Sequence, residues 1–76
     1  MKEFDYSAPA ELFAGHGRSG LRYRRFTRSA DAIRYAMEKL PAAALSATSL
    51  EVDDHQYGAA QIRALYDSDR YPLRRR

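Results

Sequence analysis

The fold class is decided by the stretch from Thr27 to Pro41, which reads TRSADAIRYAMEKLP. Its apolar residues fall at helical spacing and form one stripe, made of Ala30, Ile33, Ala36, Met37 and Leu40. Thr27 or Ser29 is predicted to cap this helix, with Asp31 placed favourably in its first turn. Pro41 is predicted to end the helix at Leu40, because the residue before a proline disfavours the helical region.

Two strand patterns precede the helix. Residues 10–14 form a short apolar run, and residues 21–27 combine aromatic side chains with near-alternation of apolar and polar positions. The intervening residues 15–20 contain three glycines, which indicates a flexible turn. The two strands are therefore predicted to form a hairpin.

A third strand and a second helix are predicted after Pro41. Thr48, Leu50 and Val52 alternate with polar residues, which is typical of a half-buried strand, here with an acidic outer face. Gly58 is predicted to begin the second helix, with Gln61 at the position of a capping-box side chain. The apolar face of that helix is supplied by Ala59, Ile62, Leu65 and Tyr66.

The resulting order is strand, strand, helix, strand, helix, so the sequence predicts a small α+β domain. A three-stranded sheet with both helices on one face is the simplest way to bury the apolar stripes. The domain is assigned to residues 10–73, between a flexible N-terminal arm at residues 1–9 and a basic tail at residues 74–76.

Length and composition restrict the function classes. The chain has 76 residues and no cysteine, so one domain without disulfides is expected. No stretch approaches the roughly 20 apolar residues of a membrane span, and the acidic start does not resemble a signal peptide. We therefore expect a cytoplasmic protein that does not bind membranes.

The net charge of +3 is unevenly distributed along the chain. Residues 18–30 carry five arginines and no acid, residues 51–69 carry five acids and one arginine, and residues 70–76 carry four arginines. Such stripes neutralise one another within the fold, between copies of the chain, or against separate partners.

Several short motifs occur together along the chain: Tyr23-Arg24-Arg25-Phe26, Ala32-Ile33-Arg34-Tyr35, Glu51-Val52-Asp53, Ile62-Arg63-Ala64-Leu65-Tyr66-Asp67-Ser68 and Tyr71-Pro72-Leu73. In these motifs the chain resembles a family of short uncharacterised bacterial proteins, a domain of unknown function. The resemblance covers the chain from about Ala10 onward. It implies a bacterial cytosolic setting and assigns no catalytic residue or ligand.

The arginine-rich segment from Arg18 to Arg28 is the strongest candidate for a functional surface. Interleaved arginine and aromatic side chains are suited to phosphate contacts and base stacking. The competing interpretation is that Arg22 and Arg24 lie on the solvent face of an edge strand, where cations discourage aggregation. Tyr35 lies off the apolar stripe of its helix and is expected to be partly exposed. The candidate interaction surface comprises Arg22, Arg24, Arg25, Arg28, Tyr35, Arg74, Arg75 and Arg76.

Motifs for catalysis or metal binding are weak. Asp53-Asp54-His55 is the one cluster of metal-ligand types, and a turn between a strand and a helix is the better explanation of it. The glycines at 15, 17 and 20 match G-x-G-x-x-G formally, but a strand pattern follows them instead of a helix. No nucleophile has an identifiable base beside it. We therefore expect no cofactor, no metal and no enzymatic activity.

Two hypotheses from different classes remain. The first is a small non-enzymatic interaction or regulatory module that binds another protein or a second copy of itself. The second is a nucleic-acid-binding protein that uses the Arg18–Arg28 segment and the C-terminal arginines. The salt dependence of the binding affinity distinguishes these hypotheses, because phosphate contacts release counterions and weaken steeply with added salt.

Overall fold

The computed structural model describes residues 4–16 and 20–73, and for residues 15, 16 and 20–22 the backbone alone. The elements follow in the order β1 (Ala10–His16), β2 (Gly20–Phe26), α1 (Ser29–Lys39), α2 (Ala42–Leu45), β3 (Thr48–Val52), β4 (His55–Tyr57) and α3 (Ala59–Asp67). This confirms the α+β class and the β1–β2 hairpin. Residues 1–3 of the predicted arm, 17–19 of the predicted turn and the tail 74–76 lie outside the described residues.

The four strands form one antiparallel sheet in the order β2-β1-β3-β4. β1 and β3 lie at the centre, and their alternate residues Ala10, Leu12, Leu50 and Val52 are buried. α1 packs against β1, β2 and β3, while α3 packs against β3, β4 and α1. Both long helices therefore cover one face of the sheet, as predicted, and no helix covers the other face in the described part of the chain.

The prediction of a three-stranded sheet was wrong, because β4 forms a second hairpin with β3. Val52 pairs with His55, so Asp53 and Asp54 alone make the turn. Their φ angles are 53° and 67°, the left-handed conformation that a tight two-residue hairpin turn requires at both positions. Asp-Asp lacks the glycine that usually marks such a turn, so the sequence suggested a direct passage from strand to helix.

α1 begins differently from the prediction. Arg28 occupies the N-cap position and no side chain caps the helix, so Thr27 and Ser29 do not have the capping role assigned to them. The Ser29 hydroxyl instead donates to the backbone oxygen of Asp5 at 2.8 Å. The end of the helix agrees with the prediction, since Leu40 before Pro41 is already extended, with ψ of 139°. The first turn of α1 is thus held by the N-terminal arm.

From Phe4 onward the N-terminal arm is docked on the domain through a group of stacked rings, here called the aromatic seam: Phe4, Tyr6, Tyr57, Tyr66 and Tyr71. Ring centroids within the seam lie 4.9 to 5.9 Å apart. The Tyr6 hydroxyl donates to the Leu65 carbonyl at 2.9 Å, and the Tyr71 hydroxyl to the Ala30 carbonyl at 3.2 Å. The seam therefore fastens both ends of the described chain to the helices.

α3 begins after Gly58, as predicted. The Gln61 side chain accepts a hydrogen bond from the Gly58 backbone N–H at 2.8 Å. Glycine has no side chain to return a bond to the first turn, so only half of the capping box forms. The buried residues of the helix are Ile62 and Tyr66, which face the sheet and α1.

Candidate interaction surface at the β2 edge

β2 is an edge strand of seven residues. It pairs residue for residue with β1, from Ala10 opposite Phe26 to His16 opposite Gly20, without a bulge. Its other side has no strand partner within the described residues. An edge strand exposes a row of backbone donors and acceptors that can pair with another chain. The candidate surface is therefore a strand edge rather than a cavity.

The arginines of β2 divide between the two faces of the sheet. Arg24 pairs with buried Leu12 and so lies on the helix side, whereas Arg25 pairs with Glu11 on the helix-free side. Both arginines are exposed. The expectation that Arg24 projects from the solvent face is corrected in this respect, because the strand register turns it toward α1. For Arg22 the structure gives only the backbone, paired with Ala14.

On the helix side, Arg24 stacks on an aromatic pair. Its guanidinium carbon lies 4.7 Å from the ring centroid of Tyr35 and 5.6 Å from that of Phe26. The two rings are themselves 5.7 Å apart. Tyr35 is half-buried, as expected from its position off the apolar stripe of α1. A cation over an aromatic face is attracted by the ring quadrupole, so this contact holds the Arg24 side chain against Tyr35 of α1.

Arg28, at the end of the same segment, is already engaged. Its Nε lies 3.3 Å from a carboxylate oxygen of Asp31, a partly exposed pair one helical turn apart. Such a pair contributes little to stability but neutralises the cation locally. In contrast, neither Arg24 nor Arg25 has an ion-pair partner among the described residues. Among the described side chains of β2, the available positive charge therefore lies at Arg24 and Arg25.

On the helix-free face, Tyr23 is 54% exposed, and it is the one exposed large apolar side chain among those described. Its ring lies 5.3 Å from that of Phe13 on β1. Its hydroxyl donates to Glu11 Oε2 at 2.8 Å, and this bond raises the pKa of Tyr23. Tyr23 is thus held in place while its ring remains open to a partner.

Beside Arg25 the helix-free face becomes acidic. A shallow groove of about 330 Å³ is lined by Pro9, Ala10, Glu11, Arg25, Glu51, Asp53 and Asp54. Within the described residues no group of three His, Cys, Asp or Glu side chains is arranged to hold a metal ion. His55 Nδ1 lies 3.0 Å from the Asp53 backbone oxygen. The Asp53-Asp54-His55 cluster is thus made of the two-residue hairpin turn and the first residue of β4.

The structure therefore gathers part of the predicted surface. Arg24 and Tyr35 meet on the helix side of the β2 edge, and Arg25 lies on its helix-free side. Arg28 follows two residues after β2, whereas Arg74, Arg75 and Arg76 lie outside the described residues. Sequence analysis did not pair Tyr23 with Glu11 and Phe13. The predicted hairpin was the signal for that pairing, since its register places Phe13 directly opposite Tyr23.

Comparison of the chain with family models, curated proteins and solved structures gives no match. The resemblance to a domain of unknown function therefore stays a prediction. None of the helices in the described part of the chain is of a length and apolarity that would span a membrane.

Proposed function

We propose that the protein is a small non-enzymatic interaction module of the cytoplasm that binds another protein along the β2 edge. One observation carries this proposal: a seven-residue strand edge without a partner in the described chain, next to the exposed ring of Tyr23. Aromatic and arginine side chains are the types most enriched at the centres of protein interfaces. Here Tyr23, Arg24 and Arg25 follow one another on that edge.

Nucleic-acid binding is the alternative, and the arginines of β2 are its support. Glu11 and Glu51 weigh against it, because they are adjacent cross-strand neighbours beside Arg25 on the face that carries Tyr23. A phosphate backbone approaching that face meets like charge. A protein strand that adds outside β2 lies next to Arg25 and two strand spacings, about 10 Å, from Glu11, so the charge it meets first is that of Arg25.

The test is site-specific photo-crosslinking in the cells that make the protein. The photoreactive residue p-benzoylphenylalanine replaces Tyr23 in one variant and Ala64, an exposed residue of α3, in a matched control. We expect a discrete protein adduct from position 23 and none from position 64.

Two outcomes would count against the proposal. Loss of the position-23 adduct on nuclease treatment would favour the nucleic-acid alternative. Absence of any adduct at position 23, or equal adducts at both positions, would remove the β2 edge as a binding surface.

A further inference from the structure

We infer that the segment bound at the β2 edge is an acidic, extended stretch of another protein, which adds to the sheet as a fifth strand. This inference rests on the proposed function and specifies the chemistry of its partner. Strand addition derives affinity from main-chain hydrogen bonds and specificity from alternate side chains.

The backbone of β2 is suited to strand addition. Seven residues at about 3.3 Å each give an edge of about 23 Å, enough to pair with a strand of ordinary length. Many proteins close such an edge with a short strand, a proline or a bulge. β2 has none of these, since Gly20–Phe26 contains no proline and its pairing with β1 is continuous. The charge of its arginines is the feature that remains to protect this edge against unspecific pairing with other strands.

The charges on β2 indicate an acidic partner. Arg24 and Arg25 are consecutive, so their side chains lie on opposite faces of the sheet. Neither has a carboxylate partner among the described residues. A neighbouring strand with two consecutive acidic residues would place one carboxylate beside each arginine. Opposite charges at facing positions of neighbouring strands stabilise the pair.

Arg24 is prepared for this contact by its stacking on Tyr35. A guanidinium that lies over a ring keeps its in-plane N–H groups available for a carboxylate, which it binds through two parallel bonds. Because the ring already restricts the side chain, less conformational entropy is lost when the partner binds. The stacked arginine is therefore a preorganised anion contact at the margin of the sheet.

The same charges disfavour a second copy of the chain as the occupant. An antiparallel pairing of two β2 strands centred on Tyr23 would set Arg24 of one copy opposite position 22 of the other, also an arginine. Like charges directly opposite each other destabilise paired strands. In this register the charges that attract an acidic strand thus disfavour a second copy, which is one way that specificity is achieved.

The experiment is an amide-resolved NMR titration of the whole chain with an eight-residue peptide. The peptide carries two central glutamates flanked by valine and threonine. One control peptide has lysines in place of the glutamates, and a second is N-methylated at alternate residues, which removes strand hydrogen-bond donors. We expect the glutamate peptide to shift the amides of residues 20–26 and both controls to leave them unchanged.

Charge-reversal variants supply the residue-level test. In the double variant Arg24→Glu/Arg25→Glu, the facing charge pairs change from attractive to repulsive. It should therefore bind the glutamate peptide about tenfold or more weakly and bind the lysine peptide more tightly. Arg25→Glu alone serves if the double variant does not fold, because Arg25 is exposed and lies on the helix-free face of the sheet. Arg63→Glu, an exposed site on α3 with the same change of charge, should leave the affinity unaltered.

Three results would overturn the inference. They are unchanged amides with the glutamate peptide, equal binding of the N-methylated peptide, and equal weakening by Arg63→Glu. An oligothymidylate that shifts the same amides with a steep salt dependence would instead assign the edge to nucleic acid. If the peptide fails while position 23 still crosslinks to a protein, the proposed function stands and the acidic-strand inference falls.

Discussion

The two edges of the sheet differ in how they are closed. β4 has three residues, and its Tyr57 packs at 5.3 Å against Phe4 of the docked arm. β2 has seven residues and is bordered by the exposed side chains of Tyr23, Arg24 and Arg25. A short edge strand, or one covered by another segment, is protected against pairing with any strand, whereas a charged edge strand is protected only against strands of the same charge. The comparison therefore marks β2 as the edge that can select a partner.

The aromatic residues differ between the two regions in the same way. The aromatic seam joins its rings to one another, and Tyr6, Tyr66 and Tyr71 direct their hydroxyls to acceptors on the helices. At the β2 edge, Tyr23 donates its hydroxyl to Glu11 but leaves its ring 54% exposed. The same residue type thus holds the fold together in one region and is presented to solvent in the other.

The largest expected effect is the difference in stability between a variant of Tyr71, in the aromatic seam, and a variant of Tyr23, at the β2 edge. Tyr71→Ala removes a buried ring from the aromatic seam and should lower the free energy of unfolding by about 3–5 kcal/mol. That is a large part of the roughly 4–11 kcal/mol expected for a chain of this length. Tyr23→Ala should cost less than about 1 kcal/mol, since its ring is largely in water. Urea unfolding of the two variants measures the difference.

Equal losses in the two variants would contradict the comparison, because they would mean that Tyr23 is as much a part of the core as Tyr71. Tyr71→Phe provides a milder control. It keeps the ring and removes only the hydrogen bond to Ala30, which is worth about 1 kcal/mol.

The second-largest expected effect is a loss of folding stability at alkaline pH, caused by the aromatic seam. Burial raises the pKa of Tyr71 to about 12 from 10.0, so the folded state favours the protonated hydroxyl. Stability from this group is therefore complete below pH 10 and is lost as the pH rises toward 12, by no more than about 3 kcal/mol. Urea midpoints at pH 9 and above measure the loss, and Tyr71→Phe should reduce it.

A matched variant keeps this pH test specific. Tyr23→Phe removes a second tyrosine whose pKa is raised, in this case by its hydrogen bond to Glu11 at the surface. We expect it to leave the alkaline loss almost unchanged. If Tyr23→Phe flattened the pH dependence and Tyr71→Phe did not, the seam would not be the source of the loss.

The smallest effect concerns the turn that sets the length of β4. Asp53 and Asp54 are non-glycine residues held at positive φ. Replacement by Asn-Gly supplies the residues that a two-residue turn prefers and should raise stability by about 1 kcal/mol. Thermal unfolding should show a midpoint about 4–8 °C higher. Asp69→Asn, which also removes an exposed acid, is the control and should cause no comparable rise.

Parts of the fold and of the surface were predictable from local pattern. α1 and α3 follow from apolar spacing together with Pro41 and Gly58, and β3 follows from strict alternation. β4 was not predictable in this way, since three residues are too few to show a period and Asp-Asp is a weak hairpin signal. The alternation of β2 places Arg24 and Arg25 on opposite faces, but only pairing with β1 decides which one meets α1.

The sequence by itself determined the fold class, the helices α1 and α3, the strand β3 and the concentration of arginine near β2. These properties depend on neighbours two to four positions apart, or on charge alone. Only the tertiary structure decided that β2 lies at an edge, that Tyr35 stacks on Arg24, and that the arm from Phe4 closes over Tyr57. These contacts join residues distant in the chain, and their geometry depends on how the whole sheet and its helices pack together.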